Sequence, residues 1–196
     1  MRRLSIIILA LSLVVASCQR GAFTKAELGL IRQENSLMRV LKVQNLEDSL
    51  SLRMLSTDMP DAALQSEDYA LLAKKLVATV TSPEEDGVGI AGPQVGINRR
   101  VVAVWRSDKP GEPFEVYANV RIDTLFGQKC PGREGCLSIP GLRGNVRRWT
   151  DAVVSYTDPQ THQRLRDTVS GYTAVIFQHE CDHLDGILYT DRADSL

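Results

Sequence analysis

The chain has 196 residues, 43% hydrophobic and 24% charged, ordinary proportions for a soluble globular protein and enough for one domain with a substantial core. Its formal net charge of −1 balances 24 acidic against 23 basic residues, so no global field draws it to nucleic acid or an anionic surface. No nucleic-acid partner is expected.

Arg2 and Arg3 precede an apolar stretch over residues 4–15 that includes Ile6, Ile7 and Ile8, which reads as a signal peptide over residues 1–17. The run is shorter than the roughly 20 residues that span a bilayer, and the polar Gln19 and Arg20 follow at once, against a permanent spanning helix. It ends in Val15-Ala16-Ser17-Cys18, which resembles the bacterial lipoprotein processing box. Cys18 is therefore expected to become the acylated N-terminus, with an ordinary cleaved signal peptide as the alternative. Each buried methylene contributes about 0.8 kcal/mol, so several acyl chains would anchor the protein stably. The expectation is an exported protein, lipid-anchored to the outward-facing side of a bacterial membrane, in the periplasm or cell envelope. Setting Cys18 aside leaves Cys130, Cys136 and Cys181, an odd number that implies no disulfide framework. At least one thiol must stay free, pair with another chain or bind a metal.

Residues 18–36 read as a tether, although residues 25–41 carry Leu28, Ile31, Leu37 and Leu41 at a spacing that an amphipathic helix can use. A core-packing helix is expected over residues 67–80, where Tyr69, Leu72, Ala73, Leu76, Val77 and Val80 repeat at helical spacing. Ser66 suits its N-cap, and Glu67 and Asp68 suit the positive end of its dipole. After a breaker at residues 83–86 and a glycine-rich stretch, residues 101–105 and 114–120 read as strands from their β-branched and aromatic content. Residues 152–156 and 164–169 flank Asp158-Pro159 and suggest a hairpin. A terminal helix should run from near Ser170 to Leu184, stopped by Gly186, with Val175, Ile176, His179 and His183 on one side. This order of elements indicates an α+β fold with antiparallel sheets.

Inside that helix stands His179-Glu180-Cys181-Asp182-His183, an H-E-x-x-H pattern. Residues four apart share a helix face one turn apart, so two imidazoles can reach one metal ion with the glutamate beside it as a proton carrier. A polar helix turn is the alternative reading, and the pattern needs a third ligand. Cys136 can supply it from the glycine- and proline-bounded segment Glu134-Gly135-Cys136-Leu137-Ser138-Ile139-Pro140. Three protein ligands leave one position open for water, as catalytic sites do. The alternative for Cys136 is a small buried apolar residue.

Three segments in order, Gly87-Val88-Gly89-Ile90-Ala91-Gly92-Pro93-Gln94, Glu134-Gly135-Cys136-Leu137-Ser138 and Gln178-His179-Glu180-Cys181-Asp182-His183-Leu184-Asp185-Gly186, resemble the signature motifs of the peptide deformylase family. The similarity extends over residues 37–192, which would form the catalytic domain, with residues 193–196 as a C-terminal tail. The resemblance implies antiparallel sheets packed around a metal-binding C-terminal helix, and removal of the formyl group from formyl-methionyl peptides. It implies Cys136, His179 and His183 as metal ligands, Glu180 as general acid and base, and Gln94 with the Leu137 backbone N–H as donors to the oxyanion. A bound metal lowers the pKa of its water toward about 7, and the hydroxide attacks the formyl carbon while Glu180 carries the proton to the leaving amine. Val88, Gly89 and Gly135 would meet the extended peptide, and Tyr172, Val175 and Ile176 would line a pocket for a methionine-like side chain or simply pack the core. A phosphate cradle at the glycines lacks the P-loop lysine and the dinucleotide spacing.

The first motif departs from the commonest form in having Ile90 and Gly92-Pro93, and Arg147 stands where many members have proline. The basic cluster Arg143, Arg147 and Arg148 reads as a solvated face, with binding of a substrate carboxylate and an Arg148–Glu134 pair as the alternatives. The family points to iron(II), replaceable by nickel(II), cobalt(II) or zinc(II), while export favours zinc because it has no redox chemistry. Cys130 is expected to contribute no ligand. A zinc endopeptidase and an exported, metal-stabilised peptide-binding module remain the competing functions. The first needs a different third ligand, and the second a dispensable Glu180.

Overall fold

The computed structural model describes residues 23–195, so the signal-peptide segment, Cys18 and the first part of the expected tether lie outside the described residues. Phe23 is already buried, in the same apolar cluster as Ile31, Met38, Leu72 and Leu76. Helix α1, Lys25–Ile31, starts in a capping box in which Thr24 and Glu27 satisfy each other's backbone N–H groups. Glu27 also takes a bidentate bond from Arg99 (2.6 and 2.9 Å), and Lys75 Nζ donates to the Gln33 carbonyl at 2.6 Å. The tether reading of residues 18–36 is thus corrected from Phe23 onward, because apolar burial and these paired charges tie the segment to the domain. The helix stops at Ile31, short of Leu41, whose backbone N–H goes instead to the Gln94 carbonyl at 2.7 Å.

Two short helices follow, α2 at Leu46–Leu52 and α3 at Asp61–Leu64. Helix α4, Glu67–Val80, has the expected bounds, and Ser66 accepts from the Tyr69 N–H as its N-cap. The sheet is antiparallel throughout, in the order β1 (Gly89–Ala91), β2 (Val101–Trp105), β3 (Phe114–Cys136), β4 (Ile139–Thr157), β5 (Arg164–Ser170), with β6 (Ala193–Ser195) beside β4. Side chains of β2 alternate between the two faces. Val101 and Ala103 enter the cluster beneath α4, while Val102 and Val104 enter the cluster beneath α5, Gly171–Leu184. The sheet is therefore the middle of three layers.

The expected hairpin is present as β4 and β5, in register from Asp151 opposite Ser170 to Thr157 opposite Arg164. The strand expected over residues 114–120 is only the start of β3, which continues to Cys136 along β4 through several register shifts. Residues 123–133 of β3 are exposed and include Gly127, Pro131 and Gly132, so no alternation of apolar side chains marks them. Residues 193–195 are likewise no tail: they pair with β4 as β6, which sets Ala193 opposite Val146. Helix α5 ends as expected, with Gly186 at φ 71°, where an added Cβ would stand 2.4 Å from the Arg53 carbonyl oxygen. Among the described residues, no helix is long and apolar enough to cross a membrane.

Candidate metal centre

Helix α5 turns Ala174, Phe177, Cys181 and Leu184 into the sheet, and this fixes the rotation that presents its polar residues. His179 and His183, one turn apart, have ring centroids 5.0 Å apart. Cys136 lies in regular structure despite its glycine and proline neighbours. It ends β3, opposite Ile139 of β4, so that only Leu137 and Ser138 form the turn. The ligating atoms of Cys136, His179 and His183 all lie within 4.8 Å of one another, and Cys136 Sγ is 3.2 Å from His183 Nε2. Cys130 is exposed and outside this group, and Cys181 is buried with no disulfide.

Residues 41–43, of which the sequence marked only Leu41 and that as part of a helix, bring the first and second motifs together. Val43 N–H donates to the Ser138 carbonyl at 3.0 Å, and Lys42 Nζ holds the Leu137 carbonyl at 2.8 Å. With the bond from Leu41 to Gln94, this short segment clamps the 3-10 turn Gly92–Val95 against the Cys136 turn. Gly92 is required there, since a Cβ would stand 2.5 Å from the Ile97 carbonyl oxygen. Gln94 is buried, its Oε1 accepts from the Ala91 N–H at 2.9 Å, and its Nε2 lies 3.3 Å from Ser138 Oγ and 3.6 Å from Cys136 Sγ. The amide is thereby oriented with its NH2 toward the cysteine.

Glu180 is buried, and its Oε2 has no hydrogen-bond partner. A Cβ at Gly89 would stand 2.5 Å from Glu180 Oε1 and 2.7 Å from Ile176. The glycine at this position thus gives the carboxylate room beside β1. Burial pushes the Glu180 carboxyl up to about 7. Burial also opposes the Cys136 thiolate, but His183 and His179 beside it reverse the effect and hold the thiol well below its ordinary value.

Behind the cluster, His179 Nδ1 bonds Glu134 Oε2 at 2.8 Å, which turns Nε2 toward the cysteine. Arg148 grips Glu134 through Nε (2.8 Å) and Nη2 (3.1 Å) and reaches Asp182 at 2.5 Å. Burial would raise the Glu134 carboxyl, but the bonds from His179 and Arg148 bring it down to about 2. Arg148 is therefore no part of a solvated face, because two buried carboxylates draw it inward; Arg143 and Arg147 are exposed.

A cavity of about 490 Å³ opens onto Gln94, Cys136, Leu137, His179 and Glu180, and all six residues expected to meet the substrate, Val88, Gly89, Gly135, Tyr172, Val175 and Ile176, line it. Tyr172 is 54% exposed and stands edge-on to Trp105. A larger cavity of about 760 Å³ lies beside Arg100, Arg148, Gln178, Asp182 and Arg192. None of the three ligating residues lines it, and most of its charged groups are already held in ion pairs, so size does not make it the site.

One thiol and two imidazoles around a common point, with a buried carboxylate and an oriented amide on the cavity wall, define a candidate mononuclear centre of the metallohydrolase class. Residues 40–196 match the family model described as polypeptide deformylase. The chain is 33% identical over 165 residues to a peptide deformylase of Leptospira biflexa serovar Patoc, covering 81% of this chain and 90% of that one. A class I type b peptide deformylase from Acinetobacter baumannii superposes with a TM-score of 0.71 at 36% identity, covering 80% of this chain and 99% of that one. A Met-Ala-Ser-bound structure from the same organism gives 0.69 at 35%, covering 80% and 98%. The chain belongs to the polypeptide deformylase family.

Proposed function

We propose that the protein hydrolyses the N-formyl amide of peptides that begin with formyl-methionine, using one divalent metal ion held by Cys136, His179 and His183. The observation that carries this reading is Glu180, a buried carboxylate with an unpartnered oxygen, which lines the same cavity of about 490 Å³ as Cys136 and His179 of the Cys-His-His cluster. The donor set fits such an ion: a thiolate and two imidazoles suit iron(II), nickel(II), cobalt(II) or zinc(II), and His179 has its second nitrogen fixed by Glu134. The ion, when bound, supplies Lewis acidity that brings the pKa of a water toward about 7.

The remaining steps belong to the chain itself. Glu180 accepts the proton as the water attacks and delivers it to the departing amine, for which its raised affinity for protons suits it. Gln94 Nε2 and the Leu137 backbone N–H donate to the formyl oxygen as it gains charge, and removing one such donor typically costs about 100- to 1,000-fold in rate. Strand β1 is an edge of the sheet: the Val88 carbonyl faces inward and accepts from the Trp105 N–H at 2.9 Å, so by alternation the Gly89 backbone groups face outward to an extended peptide, with Val88 and Gly135 lining the cavity. Tyr172, Val175 and Ile176 supply the apolar wall for the methionine side chain.

The N-terminal pattern adds a location: Cys18 is acylated, and the domain faces outward from a bacterial membrane, where it acts on formylated peptides outside the cytoplasm. There an iron(II)-thiolate site is open to oxidation, which favours zinc(II) or a shielded iron. The test compares formyl-Met-Ala-Ser with acetyl-Met-Ala-Ser as substrates of the metal-loaded protein. Turnover of the formyl peptide alone is expected; failure to cleave it, or equal cleavage of both, contradicts the reading.

A further inference from the structure

Helix α2 has two unlike faces. Leu52 is fully buried, and Asp48 is held by Arg39 and by the Lys42 backbone N–H, so the helix is fixed to the domain. The other face carries Leu46 and Leu50, and Met54 continues the row four residues on, where its N–H still bonds Ser51. Leu46, Leu50, Met54 and the adjacent Leu55 are 75, 63, 57 and 72% exposed. Four large aliphatic side chains together in water mark an interaction surface.

Charge around this ridge is neutralised. Arg39 pairs with Asp48 and Arg53 with Asp191, which leaves Glu47 as the one charged residue of 46–55 without an ion pair among the described residues. The surface is built for apolar contact and not for an acidic or basic partner.

The ridge also adjoins the start of the described chain. Arg99 binds Glu27 of α1 and, at 3.4 Å, Thr57 Oγ1, two residues beyond Leu55. Asn98 binds the Ser51 carbonyl of α2 at 3.1 Å and accepts from the Thr57 N–H at 3.0 Å. The α1 segment and the end of the ridge therefore sit on one turn. From Cys18 to Phe23 an extended chain spans no more than about 18 Å. A domain of this size has a radius of gyration of about 16 Å, so it cannot stand clear of the surface that holds Cys18.

We propose that the face formed by Leu46, Leu50, Met54 and Leu55 lies in the headgroup and upper acyl region of the bilayer, orienting the anchored enzyme. This rests on the acylation of Cys18 proposed above, because the short span presses this side of the domain toward the lipid. The contact is apolar, so uncharged phosphatidylcholine suffices.

The test uses the full chain, purified from bacterial membranes after labelling with radioactive palmitate and reconstituted into vesicles of phosphatidylcholine with brominated acyl chains. Tryptophan is introduced as Leu50→Trp or, in the turn beyond the far end of β2, as Pro110→Trp. After subtraction of the parent signal, at least about two-fold quenching is expected for Leu50→Trp and none for Pro110→Trp. Replacing Leu46, Met54 and Leu55 by serine in the Leu50→Trp protein should abolish the quenching while palmitate labelling and formyl-peptide hydrolysis persist. Palmitate incorporation without quenching of Leu50→Trp overturns the bilayer contact and leaves the anchor standing. Equal quenching at both positions removes the orientation, and unquenched, concentration-dependent cross-linking through α2 makes a second copy the occupant. Failure of Cys18 to incorporate palmitate overturns the anchor and, with it, this proposal.

Discussion

Arg148 and Arg106 are both buried guanidinium groups ringed by carboxylates, yet their surroundings differ. Arg148 faces Glu134 and Asp182, whose side chains are 8 and 11% exposed, and through Glu134 it fixes the ring of His179. Arg106 faces Asp108, Glu115 and Asp167, which are 20, 33 and 29% exposed, and it also touches Tyr117. The first cage is the more deeply buried and ends on a metal-ligand candidate. The second is partly wet and ties β3 and β5 to the end of β2. The same planar fork, with its fixed pattern of donors, is thus used once to position chemistry and once to hold a sheet together.

Removing each arginine separates the two roles. Arg148→Met should have the larger effect, because Glu134 and Asp182 would stay buried with much of their positive partner gone: about 3–5 kcal/mol of stability. Loss of the support behind His179 should also weaken metal affinity by about 10- to 100-fold. Denaturant unfolding and competition with a chelator measure these two effects. Arg106→Met should cost less, about 2 kcal/mol, since water can take over its partly exposed carboxylates. Metal affinity and kcat/KM on formyl peptides should stay unchanged in that variant. A drop in metal affinity there as large as in Arg148→Met would erase the distinction.

The Arg106 cage also gives a pH dependence with a definite sign. Arg106 holds Asp108 below its ordinary 3.8, and Glu115, although burial raises it, is brought below 4.5 by Lys109, Tyr117 and Arg106. Carboxyls depressed in the folded state contribute stability that is present above their unfolded values and lost as pH falls through the folded ones. Unfolding midpoints of the parent should therefore fall below about pH 4.5, and Arg106→Met should flatten part of that acid limb. The smallest expected effect belongs to Cys130→Ser, which should leave metal content and activity unchanged, whereas Cys136→Ser should lose both. Loss of metal on replacing Cys130 would show that the ligand set is wrongly drawn.

What could be read in the sequence follows the range of the interactions involved. Helix α4 and the hairpin of β4 and β5 were legible because apolar spacing and turn residues are local signals. The pair His179 and His183 was legible because helical geometry alone brings residues four apart together. The far half of β3 was not, since its exposed residues carry no alternation and its conformation comes from pairing with β4. The Arg148–Glu134 pair was open as an alternative, but the burial of Arg148 was not legible, because it also depends on Asp182 arriving from another element 34 positions away. Residues 41–43 act through backbone hydrogen bonds and the flexible end of Lys42, which leave no mark on composition. Phe23 was passed over within a polar stretch, although with Ile31 it completes the core under α4.

The proposed chemistry turns on Glu180, and the most direct measurement is hydrolysis of a formyl-methionyl peptide by Glu180→Gln with its metal content determined in the same preparation. The amide keeps the shape of the side chain but cannot accept the proton. The expected result is wild-type metal content with kcat/KM lowered by at least about 100-fold. Metal-loaded Glu180→Gln turning over within about tenfold of wild type would contradict the assignment of proton transfer to this residue.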